Sequence, residues 1–353
     1  MDKKNIKAVS NEELASFLES AEQPTFRLQQ ILQWLWACDA ESFDEMTNLP
    51  LPLRRSLDQQ FYIPTSRVES KRVSEDGTRK YLIAFGDGTS VETVGIPSQT
   101  SSRLTVCFST QAGCPMGCAF CATGLSGYTR NLEAYEMFDQ VKTVQNDFVN
   151  RVSNVVAMGQ GEPFANYDEL MKALRLMNDE EYLGIGARRI TISTCGLIPG
   201  IERLTQEPEQ FTLAVSLHSA VQRTRDFLMP GVASYPLTEL RDALKKYGDT
   251  TKRRPTLEYT PIACINDDDA HIEALVEFCR EMLCHVNLIP LNPVMSSDTA
   301  PAFQPSDRIE HIENVLTKHG IEASIRTSRG QDIDGACGQL KQRGADGSRA
   351  AEE

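Results

Sequence analysis

Three cysteines in one short segment are the residues whose types and spacing most directly suggest chemistry. Cys114, Cys118 and Cys121 are separated by three and then two residues, in the run Gly-Cys-Pro-Met-Gly-Cys-Ala-Phe-Cys. Structural zinc sites need four ligands, usually as paired C-x2-C knuckles, whereas three thiolates on a four-iron cluster leave one iron open to a small molecule. The spacing favours such a cluster. The alternatives are a zinc site completed by Cys107 and a loop of three merely buried cysteines.

A glycine-rich run lies one predicted strand further along the chain. It spells Gly159-Gln160-Gly161-Glu162-Pro163. Glycines let a ligand approach the backbone closely, and the carboxylate of Glu162 can accept a hydrogen bond from an ammonium group. A turn followed by a helix cap explains the run equally well by itself. Its place one strand after the cysteines favours ligand binding.

The elements that must position these residues alternate between short apolar strands and amphipathic helices. The predicted strands cover residues 104–108, 152–158, 189–193, 211–216, 257–260, 285–290 and 323–326. This alternation predicts an α/β fold with a parallel sheet or barrel. Six or seven units fall short of a closed TIM barrel, so we expect a partial (β/α)6 TIM-type barrel. The unusual loops all follow strand C-termini, where βα-barrels assemble their active sites.

The chain divides into four predicted segments. Residues 1–62 carry capping patterns and apolar stripes at helical spacing, which predict a small helical accessory domain. Residues 63–100 contain short alternating runs around a Gly-Asp-Gly turn and are expected to form a β-rich connector. Residues 101–340 hold the partial barrel. Residues 341–353 are polar and Ala-rich, so we expect a flexible tail.

Composition indicates the compartment and limits the partners. The 353 residues contain no apolar run that would span a membrane or serve as a signal peptide, so a cytoplasmic location is expected. Ten cysteines in a reducing compartment favour ligands or catalysts over structural disulfides. The net charge of −13 offers no overall attraction to nucleic acid. RNA binding would need local basic patches, for which the candidates are Arg79, Lys80, Arg188, Arg189, Lys252, Arg253, Arg254, Arg326 and Arg329.

The cysteine spacing, with the aromatic Phe120 before the third cysteine, resembles the radical S-adenosylmethionine (SAM) superfamily. The resemblance implies that Cys114, Cys118 and Cys121 hold one [4Fe-4S] cluster, whose open iron chelates the amino and carboxylate groups of SAM. Reductive cleavage of SAM would give a 5′-deoxyadenosyl radical. The glycine-rich run is similar to the SAM-binding GGEP-type loop of that superfamily.

Further motifs resemble the RlmN and Cfr family of RNA adenine methyltransferases. They occupy residues 192–199, 216–218, 285–293 and 332–340. The resemblance runs from about Pro24 to Leu340, and the N-terminal part looks like the family's helical domain, which is thought to help engage RNA. C2 and C8 of adenine are electron-poor and cannot attack a SAM methyl group as an amine does. This explains why the family would need a radical route.

The resemblance also implies catalytic roles. One SAM molecule would methylate the sulfur of Cys337. A second would supply the radical that takes a hydrogen atom from this S-methyl group, and the resulting methylene radical would add to the adenine. Glu92 matches the base that removes the ring proton, and Cys107 matches the cysteine that attacks Cys337 and releases the product through a disulfide. By the same analogy, the SAM contacts are Gly161, Glu162, Ser193, Ser216, Leu217, His218 and Asn292.

Without the resemblance, these residues have plainer interpretations. Glu92 would be a solvent-facing strand residue, and Cys107 a buried apolar cysteine. His218 could be a structural histidine. The cysteines without any motif are expected to be core or incidental residues: Cys195, Cys264, Cys279 and Cys284.

Glu162-Pro163 resembles the branch of the family that methylates adenine C2. That branch acts on an adenine of the peptidyl transferase centre in 23S rRNA and on a tRNA adenine beside the anticodon. Two departures from the family pattern are Gln160, where methionine is usual, and Pro230-Gly231, where the family has Pro-Ile-Asn. The expected partners are 23S rRNA, tRNA and an electron donor such as flavodoxin or ferredoxin, and the expected state is a monomer.

Three alternative functions remain open at this stage. The first is C8 methylation of the same rRNA adenine, as in the branch that confers antibiotic resistance. The second is a radical SAM enzyme of another reaction type. The third is a non-catalytic RNA-binding module that holds zinc through its cysteines.

Overall fold

The computed structural model describes residues 3–148, 150–292 and 303–341. The predicted tail at residues 341–353 therefore lies outside the described residues, apart from Lys341. In the described part of the chain, no helix combines the length and apolar character needed to cross a membrane.

The N-terminal region contains three helices and two short parallel-paired strands. They are α1 (Asn11–Ser20), α2 (Phe26–Trp36), α3 (Leu51–Gln60), β1 (Lys4–Asn5) and β2 (Phe61–Tyr62). Helix α1 begins after Ser10, whose hydroxyl accepts a 3.2 Å hydrogen bond from the backbone N–H of Glu13 and so caps an otherwise unpaired donor. Leu14 and Leu18, one helical turn apart, are the buried face of this helix.

A ten-stranded sheet forms the centre of the molecule. In chain order the remaining strands are β3 (Arg67–Val73), β4 (Arg79–Ala84), β5 (Ser90–Pro97), β6 (Leu104–Cys107), β7 (Gln111–Gly113), β8 (Tyr128–Asn131), β9 (Asn154–Ala157), β10 (Ile190–Thr194), β11 (Thr212–Ser216), β12 (Thr256–Tyr259), β13 (His285–Leu288) and β14 (Glu322–Ile325). Strands β7 and β8 form a separate hairpin around the cysteine loop. The order across the large sheet is β14-β13-β12-β11-β10-β9-β6-β5-β4-β3.

The sheet has a parallel part and an antiparallel part. Strands β6 and β9 to β14 are parallel, and β3 to β5 extend the sheet as antiparallel neighbours of β6. The helices that follow are α4 (Ala122–Ser126), α5 (Ala134–Phe148), α6 (Tyr167–Asn178), α7 (Ile198–Gln206), α8 (Gln222–Leu228), α9 (Leu237–Thr251), α10 (Asp269–Cys279) and α11 (Ile309–Lys318). Each parallel strand except the last is followed by at least one helix, and β14 and β3 remain the two sheet edges. This architecture confirms the predicted α/β partial barrel.

The core lies between the parallel strands and the surrounding helices. Ile192, Leu213 and Leu257 of the strands are fully buried, as are Leu170 and Leu240 on the facing helices. Each such side chain contributes about 1.5–3 kcal/mol relative to exposure. Because successive strand residues point to opposite faces, burying one set on the helices leaves the other set inside the barrel.

The segment after β14 crosses from one sheet edge to the antiparallel extension. Ser74 Oγ donates a 2.6 Å hydrogen bond to Asp332, and the Gly330 N–H donates to Asp76 at 3.1 Å. These contacts hold residues 327–341, which we call the C-terminal segment, across the open side of the barrel. Cys337 belongs to this segment and is thereby placed over the strand C-termini.

Candidate active site

One cavity lies at the C-terminal ends of the parallel strands and collects residues from most of the βα loops. We call it the cysteine-loop cavity. The predicted site residues that line it are Cys114, Cys118, Cys121, Gly161, Glu162, Ser193, Ser216, His218, Asn292 and Cys337. The convergence predicted from loop position is therefore present for these residues. Glu92, Cys107 and Leu217 do not line this cavity.

The cysteine loop is held by backbone contacts on three sides. The Cys114 N–H donates to Gly127 at 2.7 Å, the Ala119 N–H donates to Leu228 at 2.9 Å, and the Ala122 N–H donates to Gly338 at 2.8 Å. Within the described ranges, no group of three or more His, Cys, Asp or Glu side chains is arranged to hold one metal ion. Cys114, Cys118 and Cys121 nevertheless face one shared cavity. Three thiols around one cavity are the donor set that fits a four-iron cluster with one iron left open.

The glycines of the GGEP-type loop are required by packing inside the chain. A Cβ at Gly159 would lie 2.6 Å from the Phe108 carbonyl oxygen, and one at Gly161 would lie 2.8 Å from the Gln111 nitrogen. Gly161 also has a φ of +103°, which side chains rarely adopt. The loop therefore packs directly on the segment after β6, and this brings Glu162 to the cavity wall.

Glu162 organises neighbouring loops and retains limited capacity for a ligand. Its carboxylate accepts hydrogen bonds from Thr194 Oγ1 at 2.7 Å, from the Cys195 N–H at 2.6 Å and from the Phe164 N–H at 2.9 Å. Burial raises the pKa of this carboxyl group. A carboxylate offers about four acceptor positions, so roughly one remains for an ammonium group in the cavity.

Glu258 is a cavity residue that the sequence analysis missed. Its side chain is buried on β12 and accepts hydrogen bonds from Ser193 Oγ at 2.7 Å and from Ser216 Oγ at 3.3 Å. Because both hydroxyl protons point at this carboxylate, the oxygens of Ser193 and Ser216 are left as acceptors. A carboxylate flanked by Leu257 and Tyr259 in a predicted strand was the available signal.

His218 is held as a neutral acceptor. Its Nδ1 accepts a 3.1 Å hydrogen bond from the Thr260 N–H, which places the ring proton on Nε2. Burial lowers the pKa of His218 to about 3, and the nearby charge of Arg225 adds to the effect. The ring packs edge-on against Phe120, with centroids 4.8 Å apart. Nε2–H is therefore the group that His218 can offer to a ligand.

Asn292 and Leu217 connect neighbouring segments around the cavity, Asn292 through its side chain and Leu217 through its backbone. Asn292 Nδ2 donates to the Cys337 carbonyl at 3.1 Å, while its Oδ1 accepts from Gln331 Nε2 at 2.7 Å. Asn292 thus ties the C-terminal segment to β13. The Leu217 N–H donates to the Glu258 carbonyl at 2.9 Å, so this residue joins β11 to β12.

A second cavity contains both Cys107 and Cys337, and Arg326 also lines it. Both cysteines are free thiols. Burial raises the pKa of Cys107 to about 12, with a further contribution from the charge of Cys337, while Arg326 opposes the shift. Because Cys337 lines both cavities, it lies between the cysteine loop and Cys107.

Glu92 is buried rather than facing solvent. Only 6% of its side chain is exposed, and its carboxylate lies 3.0 Å from Nζ of Lys80, which is equally buried. The Lys341 N–H also donates to Glu92 at 2.8 Å. The solvent-facing interpretation is therefore wrong, since the C-terminal segment covers this face of β5.

Cys195 lines the cysteine-loop cavity, although it was expected to be a core or incidental residue. The other three cysteines that were expected to be core or incidental lie outside this cavity. Cys264 is exposed, whereas Cys279 and Cys284 are buried outside this cavity.

Several basic residues that were candidate phosphate contacts have partners within the chain. Arg79 bonds Asp147 at 2.6 Å, and Arg254 pairs with Glu322. Lys80 is engaged with Glu92 in the interior. The RNA contacts predicted from these residues remain predictions.

Comparison with known proteins places this chain in a family. A model described as the ribosomal RNA large subunit methyltransferase N-terminal domain matches residues 4–63. A model described as the radical SAM superfamily matches residues 108–279.

Several relatives carry the name "Probable dual-specificity RNA methyltransferase RlmN", of which two are described. The protein from Clostridium novyi is 42% identical over 339 residues, which cover 96% of this chain and 98% of the relative. The protein from Thermosynechococcus vestitus is 45% identical over 334 residues, which cover 94% of this chain and 96% of the relative.

The crystal structure of a radical SAM methyltransferase from Sphaerobacter thermophilus has a TM-score of 0.86 to this structure. The two chains are 41% identical, and the match covers 96% of this chain and 99% of the other. The predicted resemblance is confirmed. The chain belongs to the RlmN family of radical SAM methyltransferases.

Proposed function

We propose that this protein methylates C2 of adenine in 23S rRNA and in tRNA, with Cys337 as the carrier of the methyl group. The observation that supports this most directly is the position of Cys337, which lines both the cysteine-loop cavity and the cavity of Cys107. The relatives named as dual-specificity RNA methyltransferases support the substrate class.

Cys114, Cys118 and Cys121 are the residues that would hold one [4Fe-4S] cluster, and the loop residues of the same cavity would hold SAM. When bound, the cluster and SAM supply one-electron chemistry that removes a hydrogen atom from an unreactive C–H bond. The proposed SAM contacts offer complementary groups: one free acceptor position on Glu162, the acceptor oxygens of Ser193 and Ser216, and the Nε2–H of His218.

Cys337 has two successive tasks in this proposal. Its thiolate first attacks the methyl carbon of one SAM molecule, so that a new C–S bond forms while the bond to the SAM sulfur breaks and S-adenosylhomocysteine leaves. The carbon now attached to this sulfur is the carbon that bonds to adenine C2, after a second SAM has been consumed. Asn292 holds the Cys337 backbone over the cavity during both tasks through its 3.1 Å hydrogen bond.

Glu92 and Cys107 complete the reaction. Glu92 accepts the proton from the adenine ring, for which its contacts to Lys80 and to the Lys341 N–H must rearrange. The thiolate of Cys107 then attacks the sulfur of Cys337, so that an S–S bond forms and the S–C bond breaks. The electron pair of that bond stays on the carbon, which takes up a proton and becomes the methyl group of the product. An external reductant restores both thiols, and an electron donor of the flavodoxin or ferredoxin class serves the cluster.

The proposal is tested by mass spectrometry of nucleosides from RNA. A 23S rRNA fragment and tRNA are incubated separately, without oxygen, with reconstituted enzyme, SAM and reductant. The expected product is 2-methyladenosine in both, lost in Cys337→Ala and retained in Cys38→Ser, which alters an exposed cysteine. A product of 8-methyladenosine would overturn the assignment to C2, and methylation of one RNA alone would overturn dual specificity. SAM cleavage without any methylated adenine would overturn the reaction.

A further inference from the structure

Arg225 is a fully buried guanidinium that forms no salt bridge within the described residues. Its exposed fraction is 1%, and it lies on α8. The adjacent Asp226 accepts instead from Gln222 Nε2, at 2.7 Å. Burying a charge without an opposite charge is costly, and such groups are normally paired. A buried arginine without a paired anion therefore suggests that a negatively charged group binds beside it.

All hydrogen-bond acceptors of Arg225 are electrically neutral. Nη1 donates to the carbonyl of Ser216 at 2.9 Å and to that of Leu217 at 2.6 Å, and Nη2 donates to the carbonyl of Cys195 at 2.5 Å. Nη1 also lies 3.3 Å from the sulfur of Met229, while Nε is buried without a partner. These contacts fix the guanidinium in place but pair it with no anion, and the charge of Asp226 acts on it only without a direct contact.

The guanidinium is fixed beside the cysteine loop. Helix α8 ends against this loop, because the Leu228 carbonyl accepts from the Ala119 N–H at 2.9 Å. Cys118 packs against Leu228 and Met229. Gly196 leaves room on the other side, since a Cβ there would lie 2.9 Å from Nη2 of Arg225. The charge is thus held between the loop of Cys118 and the strand end of Cys195.

The anion missing from this arrangement has the properties of the cluster in the proposed function. A [4Fe-4S] core with three thiolates carries a net charge of about −1 when oxidised and about −2 after one-electron reduction, and net charge is one factor that determines cluster potential. We propose that Arg225 is the counter-charge of this cluster and favours its reduction. The proposal rests on the proposed function only in that the three thiols hold a cluster.

Three variants separate the charge of Arg225 from its hydrogen bonds. Arg225→Gln removes the charge and retains an amide donor. Arg225→Lys retains the charge with a different donor geometry. Arg223→Gln is the matched control, because Arg223 is an exposed arginine on the same helix.

The test is a redox titration of the reconstituted cluster, followed by electron paramagnetic resonance, without SAM and at measured iron content. For Arg225→Gln we expect at least a tenfold loss in the equilibrium constant of reduction, which equals about 59 mV toward negative potential for one electron. Arg225→Lys and Arg223→Gln should stay close to the wild type. Methylation is not measured, so a wrong RNA substrate does not affect the result.

Several outcomes would overturn the proposal. Equal potentials for Arg225→Gln and the wild type, at equal iron content, would make Arg225 a structural tie between loops. A difference that appears only when SAM is added would assign the charge to the SAM carboxylate. If Arg225→Gln binds no iron, Arg225→Lys becomes the deciding variant. Wild-type iron content and potential in Arg225→Lys would support the counter-charge, whereas loss of iron in both variants would contradict it. A wild-type protein that takes up no cluster would instead refute the proposed function.

Discussion

Lys80 and Glu92 form an ion pair in the interior, with 3.0 Å between Nζ and Oε1 and only 7% and 6% of their side chains exposed. The pair is diagonal on two antiparallel strands, since Lys80 lies opposite Val94 and Glu92 lies opposite Leu82. Lys80 Nζ also donates to the Asp334 carbonyl at 3.1 Å. The proposed base is therefore held by a cation that also contacts the C-terminal segment.

Removing one partner of this ion pair should lower the free energy of unfolding. In Lys80→Met the carboxylate of Glu92 loses its cation inside the protein, and we expect a loss of about 3–5 kcal/mol in the free energy of unfolding. The double variant Lys80→Met/Glu92→Gln should recover most of this loss, and Asp58→Asn, which breaks an exposed pair with Lys3, should cost less than about 1 kcal/mol. Urea unfolding measures these three variants and the single variant Glu92→Gln. Additive effects of Lys80→Met and Glu92→Gln would contradict the pair.

Gln160 lowers the stability of the loop that carries Glu162. Its side chain is fully buried, and neither its oxygen nor its nitrogen has a hydrogen-bond partner within the described part of the chain. Replacing it with the methionine usual in the family removes two unpaired polar atoms at similar volume, so Gln160→Met should raise the free energy of unfolding by about 1–3 kcal/mol.

Gln140 provides the matched control for this prediction. It is equally buried, but its oxygen accepts from Thr93 at 2.6 Å and its nitrogen donates to the Ser109 carbonyl at 3.0 Å. Gln140→Met should therefore destabilise the protein in the same unfolding measurement. If the two substitutions shift stability in the same direction, the explanation by unpaired polar atoms is wrong.

Gly231 permits contact between the 3-10 turn after α8 and the cysteine loop. Its N–H donates to the Met116 carbonyl at 2.9 Å, and a Cβ would lie 2.6 Å from the Met116 Cα. Gly231→Ala should push the loop away, reducing iron uptake and costing about 1–3 kcal/mol. Iron analysis after reconstitution checks this against Gly186→Ala, where a Cβ meets nothing within 4 Å. Equal iron content in the two variants would show that the contact is dispensable.

His218 should make stability depend on pH. Its pKa is lowered to about 3 in the folded protein, from an ordinary value of 6.5, so the unfolded chain binds the proton more tightly. The free energy of unfolding should therefore fall as pH drops from 6.5 toward 3, by up to about 1.4 kcal/mol per unit from this group. Above pH 6.5 its contribution is fully present.

His218→Asn isolates this effect. Asparagine tolerates the φ of +52° found here and has an oxygen that can accept from the Thr260 N–H. The variant should show a shallower pH dependence in chemical unfolding, whereas His319→Asn, which changes an exposed histidine, should keep the original slope. An unchanged slope in His218→Asn would mean that other groups cause the acid sensitivity.

Loss of Cys107 should trap the reaction before release. Without its sulfur, the bond between Cys337 and the methylated base is not broken, so Cys107→Ala should accumulate a covalent RNA–protein adduct. Denaturing electrophoresis with labelled RNA detects it, and Cys107→Ala/Cys337→Ala should show none. Full methylation by Cys107→Ala without any adduct would remove Cys107 from the mechanism.

Local patterns predicted the parallel strands well, because each is a short apolar run with a clear boundary. The strand expected at residues 189–193 is β10 (Ile190–Thr194), and the one at 257–260 is β12 (Thr256–Tyr259). The strand-end loops could be identified in the same way, whereas the individual ligand contacts within them came from the resemblance, and Glu258 was missed.

The environments of the site residues could not be predicted, since they depend on contacts distant in sequence. Period-two alternation shows which residues of β5 share a face, but the cover over Glu92 comes from Lys341, 249 positions away. Arg225 looks like any helix-surface arginine until α8 is packed on the cysteine loop. Glu258 likewise becomes recognisable only when β10 and β11 bring two serines beside it.

The crossing of the C-terminal segment has a consequence for how the molecule folds. Its contact between Ser74 and Asp332 joins residues 258 positions apart, so chain entropy delays it relative to the local βα contacts. During synthesis the barrel strands emerge before this segment exists, and the burial of Lys80 and Glu92 is completed only afterwards. A chain interrupted after β14 would keep the strands of its barrel but lack Cys337 and the cover over Glu92, so the proposed catalytic site is completed only after every strand of the barrel has been made.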